Sequence, residues 1–171
     1  MSWEQPGAGQ PGRPGLETAY EDSLRRTSSF MHLMSQAAAQ RIGVNPTDLN
    51  VLNILSLGGR LTAGQLAQQT GLTTASITGV VDRLEEAGYV RRERDPSDRR
   101  RVVINLIIEP VLRDVVTAFA PMLAAWKKVA DGYTDAELEL IIGFQAKTEQ
   151  VLREHLDRLR QPEAGAADPA R

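Results

Sequence analysis

Six arginines, Arg91, Arg92, Arg94, Arg99, Arg100 and Arg101, crowd into a short stretch of a chain whose formal net charge is -2. A guanidinium offers parallel donors that match phosphate oxygens and the acceptor edge of guanine. Glu93, Asp95 and Asp98 interleave with these arginines, so a solvated, salt-bridged loop is the plain alternative. Just upstream lies a second group, Thr73, Thr74, Ser76, Thr78, Gly79 and Arg83. Small hydroxyls and one guanidinium make a surface that a polynucleotide can approach closely, with donors for phosphates or base edges. A pI near 5.7 argues mildly against nucleic-acid binding by the chain as a whole. Local charge must therefore carry that reading.

Other chemistries find little support. The sequence holds no GxSxG, no P-loop, no GxGxxG after a strand and no His paired with a plausible nucleophile, so no catalytic residue and no cofactor is expected. It contains no cysteine, which excludes disulfides, thiol redox sensing, Cys-ligated zinc and iron–sulfur clusters. His32 and His155 stand on separate terminal segments without a carboxylate cluster, and no metal site is expected of them. No apolar run approaches the roughly 20 residues that span a bilayer, and no secretory signal opens the chain. The expectation is a cytoplasmic protein without a membrane partner.

The elements that must position these groups follow from periodicity. Residues 1–15 and 161–171 are rich in Gly, Pro and polar residues and read as disordered tails. Apolar positions from Leu16 to Ile42 predict one long amphipathic helix, and Asn45-Pro46 opens a second one that runs to about Leu57. Thr62 with Gln65 has the spacing of a capping box for a short helix ending at Gly71. Thr73-Thr74 starts the next helix, with Ile77, Val80, Val81 and Leu84 on one face and Gly88 as its stop. Residues 89–94 and 101–106 are β-prone and joined by a polar, Pro-containing loop, a hairpin. One helix is then expected from Glu109-Pro110 to near Gly132, and a last one from Thr134 to about Arg160.

Helix, short turn, helix and hairpin between residues 62 and 106 is the order of a winged helix-turn-helix, whose second helix enters the major groove of DNA. Arginines at an exposed hairpin tip after such a unit can reach the adjacent minor groove. The expected fold is mainly α with a small β-hairpin wing. A winged helix-turn-helix domain (43–108) is flanked by an N-terminal dimerisation helix (16–42) and by C-terminal dimerisation helices (109–160).

The run from Leu61 to Leu106 resembles the MarR family of transcriptional regulators. The most specific mark is Asp98-Arg99-Arg100 at the wing tip, after the helix end Leu84-Glu85-Glu86-Ala87-Gly88-Tyr89. The resemblance implies that Arg100 enters the minor groove and that Asp98 holds it by a salt bridge. It assigns recognition-helix roles to Ser76, Thr78, Gly79 and Arg83; Thr73 and Thr74 at the helix start and Arg94, Arg99 and Arg101 on the hairpin are DNA-contact candidates from their own chemistry. Two readings of Arg83 stand, as a base reader or as a phosphate contact. The stretch Ile107-Ile108-Glu109-Pro110 departs from the Leu-Thr and Gly that often follow the wing in the family, which implies a remodelled joint with the next helix.

The resemblance also implies a homodimer on a pseudo-palindromic operator of double-stranded DNA, a role as repressor, and release by a small aromatic or anionic effector. Phe30, Met34, Met122 and Trp126 are the adaptable apolar residues expected beside such a pocket. The competing reading is an architectural or protein-interaction winged-helix module that binds DNA without sequence preference.

Overall fold

The computed structural model describes residues 12–160; both expected tails fall mainly outside that range. Helix α1 (Arg13–Ile42) begins three residues before Leu16, because Pro14 in its first turn needs no intrahelical partner for a missing N–H. Its C-terminus stops at Gly43, left-handed at φ 77°. Helix α2 (Pro46–Gly58) is capped by Asn45, whose side chain accepts from the Asp48 amide at 2.9 Å. Helix α3 (Ala63–Thr70) carries the full capping box: Thr62 Oγ1 accepts from the Gln65 amide at 3.2 Å, and Gln65 Oε1 accepts from the Thr62 amide at 2.8 Å.

Gly71, at φ 77°, lets the chain reverse at once, and Thr73 caps helix α4 (Thr74–Glu86) by accepting from the Ser76 amide at 3.1 Å. A three-residue turn therefore sets the angle between α3 and α4. Strands β1 (Val90–Arg94) and β2 (Val102–Leu106) pair antiparallel from Val90 opposite Leu106 to Arg94 opposite Val102. Leu61 adds a rung on the far side of β2, exchanging backbone hydrogen bonds with Ile104 at 2.7 and 3.2 Å. The wing is thus anchored both to α4 and to the start of α3.

After the wing, the expected single α-helix is a composite. A short turn, α5 (Ile108–Pro110), passes into a π-helical stretch, Val111–Val116, and then into α6 (Thr117–Ala130). Thr117 Oγ1 donates to the Leu112 carbonyl, five residues back, at 3.2 Å, which marks the wider turn. Val111 and Val115 on this stretch still reach the core, so the departure at Ile107–Pro110 coincides with a joint built on a π-turn. Helix α7 (Asp135–Arg160) starts on a second capping box, in which Glu137 accepts from Thr134 and Thr134 Oγ1 from the Glu137 amide at 3.3 Å.

The core is made by Val51, Leu52 and Leu55 of α2, Leu66 of α3, Ile77, Val80, Val81 and Leu84 of α4, and Tyr89, Val90 and Ile104 of the wing base. Burying each of the larger aliphatic side chains stabilises the fold by about 1.5–3 kcal/mol. All four inward positions predicted for α4 lie in it. By contrast, α1 buries only Ala39 fully, and α6 and α7 bury no residue fully. Leu16, Phe30, Leu33, Leu140, Ile142, Val151, Leu152 and Leu159 stand exposed along these outer helices. Tyr20 of α1 meets Phe144 of α7 edge-to-face, at 4.9 Å between ring centroids, and little else joins these two helices.

Candidate nucleic-acid interface

The face of α4 turned away from the core carries Thr74, Ser76, Thr78 and Gly79, with Thr73 at its cap. The three hydroxyl residues are exposed; Thr78 Oγ1 places its proton on the Thr74 carbonyl at 3.0 Å, and the Ser76 and Thr73 hydroxyls share one at 2.9 Å. Small hydroxyl side chains leave a low surface that a groove edge can meet.

Arg83 occupies a flank of this face and not its centre. Its Nε and Nη2 donate to Asp48 Oδ2 and Oδ1 at 3.1 and 2.6 Å. Asp48, in the first turn of α2, is 3% exposed and is the buried charged residue of the described chain, whereas the Arg83 side chain is half exposed. The hydrogen bond to Asp48 raises the already high Arg83 pKa, against the opposing pull of burial. Sequence reasoning missed Asp48, whose position after Asn45-Pro46 looks like an ordinary acidic first turn.

The wing supplies the charge. Arg94, Arg99, Arg100 and Arg101 are exposed and make no ion pair among the described residues. Arg91 pairs with Glu93 at 2.5 Å, and Arg92 is committed to α4, donating to Asp82 at 2.5 Å and to Glu85. The tip is shaped by its acids. Asp95 Oδ1 accepts from the Ser97 hydroxyl and amide at 2.7 and 2.9 Å, and these bonds hold its carboxylate below the usual range. Asp98 Oδ1 accepts from the Arg100 backbone amide at 3.0 Å, and the Asp98 carbonyl from the Arg101 amide at 2.9 Å. The implied salt bridge between Asp98 and Arg100 is therefore replaced by a hold on the backbone. A turn-forming Asp two residues before an amide can bond that amide more readily than a long, solvated guanidinium, and this leaves the Arg100 charge free.

Behind this surface, where α1, α2 and the π-α6 segment meet, lies a cavity of about 430 Å³. Met34, Met122 and Trp126 line it together with Met31 and Phe119. Phe30 does not: it stands exposed, one residue and therefore about 100° around the helix from the stripe of Met31, Met34 and Ser35. His32 and His155 are both exposed, and among the described residues no group of His, Asp or Glu is arranged to hold a metal ion. No described helix is long and apolar enough to cross a membrane.

The comparisons agree with this geometry. A MarR family model matches residues 42–101, from the end of α1 to the wing tip. The uncharacterized HTH-type transcriptional regulator YcgE of Bacillus subtilis (strain 168) is 43% identical over 149 residues, which cover 87% of this chain and 96% of the relative. The HTH-type transcriptional repressor YetL of the same organism is 29% identical over 114 residues, covering 65% of this chain and 66% of the relative. A MarR family protein from Bacillus stearothermophilus has the same fold, with a TM-score of 0.63 at 23% identity over 85% of this chain and 99% of that one. These relatives are regulators and not enzymes. The family model, a relative matched almost end to end, and a capped helix-turn-helix with an arginine-bearing wing tied to it place this chain in the MarR family of winged helix-turn-helix transcriptional regulators.

Proposed function

We propose that this chain is a cytoplasmic repressor that binds a pseudo-palindromic operator as a homodimer and leaves it when a small molecule enters the cavity behind the reading surface. The observation that carries the DNA contact is the free charge of Arg94, Arg99, Arg100 and Arg101 beside the hydroxyl face of α4. Thr73, Thr74, Ser76, Thr78 and Gly79 approach the major groove, Arg83 borders it, and Arg100, shaped by Asp98, reaches the minor groove. YetL, a repressor, supports the sign of regulation.

The pairing is supported by the apolar residues left exposed on α1 and α7. Contiguous apolar faces of this kind mark interaction surfaces, and helices that flank a reading head suit two-fold symmetry with half-sites about 34–36 Å apart. For the effector, the cavity lining is aliphatic, aromatic and thioether, with Ser35, Asn50, Asn53 and Ser56 as its polar groups and no charged side chain. Such a lining suits an uncharged aromatic molecule better than an anionic one.

Binding of the full chain to the duplex upstream of its own coding sequence and to a random duplex, each over a salt series, tests this reading. A large affinity ratio for the upstream duplex is expected. Equal affinities with a steep salt dependence would instead identify an architectural protein.

A further inference from the structure

The bond between Asp48 and Arg83 joins two helices and leaves one edge of the guanidinium unused. Asp48 takes Nε and Nη2. The opposite edge, formed by Nη1 and the second N–H of Nη2, has no hydrogen-bond partner among the described residues. Nη1 lies beside Gly79, where an added Cβ would stand 3.8 Å from it. Ser76, Gly79 and Arg83 of α4 border one open groove with Asn45 and Thr47 at the start of α2.

Physical chemistry separates two uses of such an arginine. A phosphate contact works through net positive charge and counterion release, and tolerates a mobile side chain. Arg83 offers neither feature, because a carboxylate 2.6 Å away compensates its charge and two hydrogen bonds fix its plane. What remains is direction. A pre-ordered pair of parallel donors has already lost its rotamer freedom, and its spacing matches O6 and N7 of guanine. Gly79 keeps side-chain bulk away from the path by which a base edge would come.

We propose that Asp48 is a positioning residue that makes Arg83 a reader of one guanine in each half-site, a division of labour in which the unpaired wing arginines supply affinity. This rests on the proposed binding of a specific operator. The structure thereby favours base over phosphate among the two readings of Arg83 that the sequence leaves open.

Duplexes selected from a randomised pool by the full-length protein, followed by all single-base substitutions of the best one, provide the test. Affinities are read by fluorescence anisotropy for the unaltered protein, Asp48→Asn and Arg83→Lys, each checked for folding by circular dichroism. In the unaltered protein, replacing one G·C pair per half-site should weaken binding about tenfold or more. In Asp48→Asn that penalty should fall to about threefold or less, while penalties at other positions and the salt slope stay as they were. Arg83→Lys keeps the charge but loses the planar fork, and should show the same position-specific loss even if Asp48→Asn does not fold. Uniform weakening at every position in the variants, or an unchanged pattern of penalties, overturns the proposal. A protein that selects no duplex from the pool overturns the operator reading first, and this proposal with it.

Discussion

Nη2 of Arg92, in the first wing strand, lies 2.5 Å from Oδ1 of Asp82 on α4, and its Nη1 engages Glu85 one turn further on. The Arg92 amide also donates to Glu85 at 3.0 Å. One side chain therefore bridges two carboxylates, offsets one of their two negative charges, and fixes the angle between wing and helix. Arg92 adds nothing to the free positive charge of the wing. Its contribution is to cancel negative charge in the wrong place.

Arg92→Ala should accordingly weaken binding to all duplexes by about 10- to 100-fold, since both the clamp and the compensation are lost. Removing the exposed carboxylates in the same background, Asp82→Asn with Glu85→Gln, should recover part of that loss. Anisotropy titrations of the single and triple variants give the comparison. No recovery would mean that wing geometry and not charge is the larger effect.

Arg100→Ala should behave differently. Its guanidinium has no ion-pair partner among the described residues, so its loss should weaken all sequences and lower the slope of log affinity against log salt by about one phosphate-equivalent. Sedimentation should show the assembly unchanged. An unaltered affinity would remove the wing tip from the mechanism.

Phe30→Asp with Leu152→Asp places two charges on exposed apolar faces of α1 and α7. If those faces pair two copies, the double variant should raise the dimer dissociation constant by about 100-fold or more, from the cost of burying unpaired charge. Neither residue belongs to the core, so circular dichroism of the reading head should persist. A dimer that survives both charges would locate the interface elsewhere.

Tyr89 ties the wing base to the π-helical joint, its hydroxyl donating to Asp114 Oδ2 at 3.0 Å. Burial, and then this hydrogen bond, raise the Tyr89 pKa, so its contribution to stability is complete below the ordinary tyrosine value of about 10 and is lost as pH rises through the folded value. Asp114 is lowered, chiefly by Arg113 and also by Tyr89, so its contribution holds above the ordinary aspartate value and is lost as pH falls through the lower folded one. The gap in urea midpoint between the unaltered protein and Tyr89→Phe should thus be widest near neutrality and close toward both extremes. A gap independent of pH would detach the hydrogen bond from stability.

Much of this arrangement is legible in the sequence, and the part that is not has a common cause. Caps at Thr62, Thr73 and Thr134, the inward stripe of α4 and the hairpin follow from spacing within fewer than about twenty residues, where local chemistry decides. Asp48 with Arg83, Arg92 with Asp82, and Tyr89 with Asp114 each join segments that only the folded chain brings together, over 35, 10 and 25 residues of sequence. Asp82 and Glu85, one turn apart, with an arginine soon afterwards in a strand, gave a signal for the clamp. Phe30 was misplaced because neighbouring residues of a helix point about 100° apart, and an apolar type alone does not say which side meets a cavity. The π-turn is not legible in the sequence, because Val-Leu-Arg-Asp-Val-Val has nothing that separates it from an ordinary α-helical run.

Fully buried hydrophobic side chains, Ala39 aside, fall between Leu49 and Val111 among the described residues. Under the proposed pairing, the segment from α2 to the wing has its packing within one chain, whereas the outer helices would owe theirs to a second copy, a bimolecular quantity that scales with protomer concentration. Expression level would then become a structural variable: at low abundance the reading heads would be finished and the outer helices loose, and at high abundance both would be packed. The proposed effector, entering where α1, α2 and the π-α6 segment meet, would then need to oppose only the energy of association and never that of the core.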